Sequence, residues 1–457
     1  MSCCAGHAAA QSTTSWLLDF FTSSPLLATI VLGPVIAAIL AAYPLLIWLS
    51  PRPLEPTPDE LRFYTAGDLL GPAATIKEEK KGSNGASNAT RKLPRIEDAP
   101  QCQLSVIIPA YNEKHRLPSM LEETLAFLNR DQALSRLDHA PGKNTSPACD
   151  ALREPLARVE IIVVDDGSSD GTGDVVLEHA RNHQSRWGKV ELRLIRLSRN
   201  RGKGGAVRHG MLHARGALLL FVDADGATKF EALSALATEL DRIRTPAGHG
   251  IVAGSRAHLV GSDQVVKRSF VRNLLMHTFH LVLSLLMRPP AIGKVLQRHL
   301  PSFLVSQNTL KRTTLPSQPE IRDTQCGFKL FMRESARVVF QGSHIERWIF
   351  DVELLLRAEL SSQTAHVRLA NCGSSMRQVR KEAGFPLPHS GKGKVDTAAD
   401  VLLDLPLPIA EVPVQWTEVS GSKIDLLKDS IGMALDLVII RANYALDRWP
   451  SPKPAKV

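Results

Sequence analysis

Leu218 to Phe230 reads LLLFVDADGATKF, an apolar run that ends abruptly in two aspartates one residue apart. Its apolar half, LLLFV, has the continuous hydrophobicity of a strand buried on both faces, not the alternation of a half-exposed one. The run breaks at Asp223 and Asp225, and Gly226 follows to turn the chain. In an open α/β sheet, ligands collect in the crevice outside the carboxyl ends of the strands, where these two carboxylates would stand. Their natural partner is a hard divalent cation, Mg2+ or Mn2+. Magnesium is commonly held by one or two carboxylates plus the phosphates of a substrate. Taken alone, the pair equally suits a solvated strand-to-turn junction.

Working outward, the same punctuation recurs. LSVIIPAYNE (104–113) is a buried strand followed by an amphipathic helix over Leu117 to Leu128. VEIIVVDDGSSDGT (159–172) is apolar until Asp165 and Asp166, then turns into a helix through Val175 to Ala180. VELRLIRL (190–197) leads into SRNRGKGGAVRHG and a helix to about Ala214, just ahead of the opening strand. Ile251 to Gly254 is a further short strand. Strands alternating with helices predict an α/β fold with a mostly parallel sheet and right-handed crossovers. Further on, ERWIFDVELLLRAEL (346–360) is a strongly apolar helix, EVPVQW (411–416) is a strand that Pro413 assigns to an edge, and a final helix covers about Ile424 to Trp449.

Leu26 to Leu49 is an uncharged apolar run long enough to cross about 30 Å of hydrocarbon, so it predicts a single signal-anchor span. Arg52 and Arg62 follow it while its amino-terminal flank has no Lys or Arg, which places the bulk of the chain in the cytosol. Residues 50–102 are rich in Pro, Gly, Ser, Asn and mixed charge and predict a flexible linker. Residues 131–158, 289–320 and 361–408 are expected as insertions. Val265 to Met287, basic at its start and apolar later, fits an interfacial helix or a core helix, and the final helix carries the same two readings.

The formal net charge of +9 suits phosphorylated partners or an anionic lipid bilayer. Aromatics make up 5% of residues and no RNA- or DNA-binding signature occurs, so nucleic acid is excluded. The six cysteines lack C-x-x-C spacing and read as reduced thiols, with Cys326 a packing residue. His209 and His213, four apart without an acidic partner pattern, read as surface residues rather than zinc ligands.

Four strand ends should therefore converge on one ligand. A carboxylate at the second strand, Asp165 or Asp166, can accept from the imide of uracil, and one near the first can take ribose hydroxyls. Lys203 and Arg208, with the glycine-loop amides, can face a diphosphate. The loop reads G-K-G-G-A-V, which is neither G-x-G-x-x-G nor a P-loop, so dinucleotide and ATP sites are excluded.

VIIPAYNE, VVDDGSSDGT, NRGKGGAVRHG and DADGATKF, in that order, resemble family 2 inverting glycosyltransferases of the GT-A fold. DADGATKF, GSRAHL, RDTQCGFKLF, ERWIFDVELL and VPVQWTEVSGSKI are similar, more narrowly, to the eukaryotic dolichyl-phosphate β-glucosyltransferases. The likeness covers about residues 103–288, 321–360 and 409–445; the insertions fall between its motifs. It implies UDP-glucose and dolichyl phosphate as substrates, a place in protein N-glycosylation at the endoplasmic reticulum membrane, and no particular protein partner. It puts Pro109, Ala110, Tyr111, Glu113, Asp165 and Asp166 at the nucleoside, Lys203 near the diphosphate, and Asp223 and Asp225 on the metal and sugar nucleotide. An ionised phosphate acceptor needs positioning more than a base. Arg256, Arg268 and Arg272 are the candidates to hold it, with Arg322 and Lys329 behind them. Asp323 can orient sugar hydroxyls, act as base, or simply cap a helix before CGFKLF. A mannosyl transferase using GDP-mannose and a catalytically inactive nucleotide-sugar-binding scaffold are the competing readings.

Overall fold

A computed structural model describes residues 37, 41–65, 92–129, 159–182, 190–245, 248–259, 321–370, 407–419, 421, 423 and 425–452. The chain divides into two units, Met1–Pro51 and Arg52–Val457. In the first, residues 41–49 are helical and Ser50 closes the last turn by donating to the Leu46 carbonyl. Most of the expected Leu26 to Leu49 span lies outside the described residues, among which no helix is long and apolar enough to cross a membrane.

The second unit is built on one seven-stranded sheet. In chain order its elements are β1 (Cys102–Ala110), α1 (Leu117–Leu128), β2 (Val159–Asp165), α2 (Thr172–Asn182), β3 (Val190–Arg196), α3 (Lys203–Leu212), β4 (Gly216–Val222), α4 (Ala232–Ile243) and β5 (Ile251–Ser255). β6 (Phe328–Met332), α5 (Arg333–Phe340), α6 (Phe350–Ala370), β7 (Ile409–Pro413) and α7 (Leu426–Ala445) complete it. The strand order is β3-β2-β1-β4-β6-β5-β7, with β6 antiparallel to both its neighbours and all other pairs parallel.

Every residue of β2 and β4 is buried, as expected of central strands covered on both faces. α1 buries Leu117, Met120, Leu121, Thr124, Leu125 and Leu128, the three- and four-residue spacing of one helix face. Because β6 runs backwards, its beginning lies at the same sheet edge as the ends of β1, β2, β4 and β5: Val222 pairs with Phe328. That reversal delivers residues 323–327 to the ends of the donor-side strands.

Several expectations need correction. CGFKLF is a strand, so Asp323 caps no helix. α6 continues to Ala370, beyond the expected boundary at residue 360, because Ser361 and Ser362 are buried and Ser362 donates to the carbonyls of Ala358 and Leu407. The ends of the expected linker are docked, not free. Tyr64 exchanges backbone hydrogen bonds with Leu194, extending the sheet beside β3. Leu93 and Ile96 are buried, and the Arg333 guanidinium ties the carbonyls of Arg95 and Asp98 to those of Ala214 and Gly216. His209 and His213 are not surface residues. Their rings lie 4.8 Å apart, and each bonds a linker carbonyl, Glu60 at 2.9 Å and Pro94 at 2.6 Å.

The interfacial segment 265–287 with Arg268 and Arg272, the insertions 131–158 and 289–320, and most of 361–408 lie outside the described residues.

Candidate active site at the carboxyl edge of the sheet

The turn after β1 carries Tyr111, Asn112 and Glu113, with Pro109 and Ala110 closing the strand. Asn112 holds φ 53°, a left-handed conformation that Asn tolerates better than most residues. Its carboxamide oxygen accepts from the Ser169 amide, while its own amide donates to Ser168 Oγ and that of Glu113 to Thr172 Oγ1. The AYNE and DDGSSDGT turns are thus one interlocked corner. Glu113 is buried and paired with Arg116 (2.7 Å) and Lys423 (2.7 Å). Tyr111 is exposed, with the Lys423 ammonium 5.6 Å from its ring centre.

Asp165 and Asp166 are both buried. Asp165 accepts from the Ser168 amide, and Asp166 from the amides of Arg201 (2.7 Å) and Gly202 (2.9 Å). Burial raises the Asp166 carboxyl to about 7 against the pull of those amides. Asp166 therefore braces the glycine loop, whereas the sequence alone suggested a nucleoside contact. Gly167 lies against that loop at φ +71°, where a Cβ would meet the Arg199 carbonyl carbon at 2.9 Å.

Lys203 opens α3 and reaches across to Asp223, 2.7 Å from one carboxylate oxygen. Burial works against its charge, but Asp223 and Asp351 overcome it and raise its pKa. Arg208 does not join it. Five residues on, it faces another way and sits in the field of Glu346 and Glu353.

Asp223 follows β4 directly, and its amide donates to the Gly327 carbonyl. Asp225 is held by the Ala227 amide; burial and then the Asp223 charge raise its pKa. Two neighbouring carboxylates, Asp225 disfavoured by the charge of Asp223, offer oxygen ligands only and fit a hard divalent cation. Among the described residues no three His, Cys, Asp or Glu side chains group into a metal site, so phosphate oxygens would have to complete the shell.

On the far side, Arg256 and Asp323 form a two-pronged pair, Nε to Oδ2 at 2.7 Å and Nη2 to Oδ1 at 2.9 Å, with the Arg256 amide also donating to Oδ2. Asp323 is held below the usual carboxylate range: burial opposes its charge, but the Arg256 contacts outweigh that. A carboxylate so stabilised is a poor base. Arg322 is exposed at this edge. Lys329 corrects the sequence reading: it is 1% exposed, and its ammonium is taken up by Asp351 (2.7 Å) and the Cys326 carbonyl (2.5 Å), so it cannot meet a phosphate. Cys326 is buried, as expected, and burial lifts its thiol to about 11.

Residues that sequence reasoning passed over complete the site. Residues 415–417 pair with the loop after Asp225: Thr417 donates to Ala227, Lys229 donates to Gln415, and Thr228 bridges Trp416. The Trp416 ring lies 5.6 Å from the Arg256 guanidinium. Gly421, at φ +99°, passes Arg116, and Lys423 then reaches the carbonyls of Tyr111 and Asn112. One strap thus crosses from the Arg256 side to the Glu113 corner. Its signal in the sequence is the VPVQWTEVSGSKI motif, which carries the family resemblance but no site role of its own.

Residues 105–340 match the profile of Glycosyl transferase family 2. The chain is 37% identical over 374 residues to a dolichyl-phosphate beta-glucosyltransferase of Drosophila melanogaster, covering 82% of this chain and 85% of that one. It is 34% identical over 388 residues to the Homo sapiens protein of that name (85% and 89% covered), and 32% identical over 418 residues to that of Saccharomyces cerevisiae (90% and 92%). The chain belongs to glycosyl transferase family 2, among the dolichyl-phosphate β-glucosyltransferases.

Proposed function

We propose that the chain transfers glucose from UDP-glucose to dolichyl phosphate with inversion, giving dolichyl β-D-glucosyl phosphate for protein N-glycosylation. The observation that carries this reading is the convergence at one sheet edge of Asp223 and Asp225, Lys203, and the Tyr111–Glu113 corner. A sugar nucleotide laid along that edge has its base and ribose at Tyr111, Glu113 and Asp165 and its diphosphate toward Lys203.

A divalent cation held by Asp223 and Asp225 would offset the negative charge that develops on the departing diphosphate. The acceptor phosphate oxygen forms the new bond to the anomeric carbon as the bond to the UDP β-phosphate oxygen breaks, and the electron pair leaves with UDP. The acceptor is already anionic, so no residue must remove a proton. Arg256, held by Asp323, lies on the acceptor side, and Arg268 and Arg272 supply further cations for that phosphate. Alignment then supplies most of the rate.

The likeness to dolichyl-phosphate β-glucosyltransferases, with Leu26 to Leu49 as anchor and Arg52 and Arg62 after it, supports a place in the endoplasmic reticulum membrane with the catalytic unit on the cytosolic face and a lipid bilayer as its working surface. Full-length protein with Mg2+, dolichyl phosphate and each labelled sugar nucleotide tests the donor. Lipid labelled from UDP-glucose is expected, and label from GDP-mannose alone overturns the reading. Asn88 and Asn144 begin glycosylation sequons; an endoglycosidase mobility shift would put the catalytic unit in the lumen.

A further inference from the structure

The segment 52–65 follows the apolar run directly in sequence, yet it is bound to the loop that presents Lys203. Glu60 is the centre of this contact and is 1% exposed. One of its carboxylate oxygens accepts from the amide and hydroxyl of Ser198, both at 2.8 Å. The other accepts from the Thr57 amide (2.7 Å) and the Arg201 guanidinium (2.5 Å). Arg201 also donates to the carbonyls of Leu54 (2.8 Å) and Glu55 (3.2 Å). Burial disfavours the Glu60 charge, but the Ser198 and Thr57 donors and Arg201 outweigh it and hold the carboxyl down at about 2.

The far side of the same loop faces the site. The amides of Arg201 and Gly202 donate to Asp166, and Lys203 meets Asp223. Glu346 clamps the loop from a third direction: its carbonyl accepts from Gly205 and its carboxylate from the Leu54 amide. Arg201 thus touches the segment with its side chain and the site with its backbone.

We propose that Glu60 is a positioning residue for donor binding: residues 52–65 act as a strap that, through Glu60 and Arg201, holds the 198–205 loop in register with Asp166 and Asp223. This rests on reading the edge as a nucleotide-sugar site. A carboxylate that fixes both ends of a four-residue turn sets where the Lys203 ammonium stands, and Arg201 is too buried to find a replacement partner in water. The segment beyond the anchor is then part of the catalytic unit and not a spacer of adjustable length.

The test uses full-length protein in detergent and two readouts on Glu60→Gln. Hydrogen exchange at the Arg201–Gly205 amides should quicken by about tenfold or more. The KM for UDP-glucose should rise about tenfold while the KM for dolichyl phosphate stays within about twofold. Unchanged loop exchange in the folded variant overturns the proposal, as does an equal change of both KM values. If Glu60→Gln does not accumulate as folded protein, Ser198→Ala decides. It removes one donor to the same carboxylate and should move both readouts the same way by about two- to fivefold, and no movement overturns the strap. Should the wild-type protein fail to use UDP-glucose, the functional reading falls while the exchange measurement still decides the strap.

Discussion

The Lys203 ammonium stands 2.7 Å from the Asp223 carboxylate, joining the glycine loop to the end of β4. Both groups stand at the edge where a diphosphate and its cation would lie. Lys203 has Asp223, Asp225 and Asp351 around it, so its charge is secure at any physiological pH. Lys203→Met should therefore raise the KM for the sugar nucleotide about tenfold or more, as steady-state kinetics would read.

Asp225→Asn keeps the volume and the Ala227 hydrogen bond but removes one of the two charges. Transfer should fall about 10²–10³-fold with the midpoint for Mg2+ raised, while the melting temperature is unchanged or higher. Initial rates across a Mg2+ titration check this; full activity in the variant would remove Asp225 from the metal site.

Gly327→Ala should be nearly as damaging, although Gly327 is no ligand. A Cβ there would overlap the Asp223 carboxylate, so the side chain must swing away from Lys203. Activity should drop about 10²-fold, as expected when a 1 Å displacement misaligns a site. Gly327→Ser should be no better, since the crowding comes from Cβ itself.

Arg256 and Asp323 act as a unit. Asp323→Ala and Arg256→Ala should each cost about tenfold or more in kcat/KM for dolichyl phosphate, and the double variant little beyond the worse single one. Asp323→Asn should leave the pH optimum where it is, because a carboxylate held below its usual range has no titration to lose near neutrality. Disappearance of the acidic limb of the rate profile in Asp323→Asn would restore Asp323 as a base.

Burial pushes the Asp166 carboxyl up to about 7, which brings it into the neutral range. Its folded pKa lies above the unfolded value, so between roughly pH 4 and 7 the folded protein binds the extra proton and this group's contribution to stability falls as pH rises. Function runs the other way. The Arg201 and Gly202 amides bind the ionised form best, so the KM for UDP-glucose should climb as pH drops below about 7. In Asp166→Asn that dependence should vanish, with a KM raised at every pH.

Much of this site was legible in one dimension. Asp165, Asp166, Asp223 and Asp225 each end a run of buried apolar residues, and a run of that kind has few alternatives to a central strand. Lys203 was legible because a glycine-flanked lysine opens a helix directly after a strand and loop. Less legible were partners that come from far along the chain. The loop amides that Asp166 accepts, the Asp351 carboxylate that closes off Lys329, and the Glu60 carbonyl that His209 bonds all lie far from them in sequence, so no local pattern announces them.

The strands, their polar ends and the family are readable along the chain, because hydrophobic runs and short turn motifs are local properties of neighbouring residues. Which charges are open to a ligand depends instead on contacts between residues far apart in the chain. Lys329 meets Asp351 across 22 residues, Arg201 meets Glu60 across 141 and Lys423 meets Glu113 across 310. A charge takes its nearest partner in space, and the antiparallel β6 and the docked 52–65 segment set that proximity.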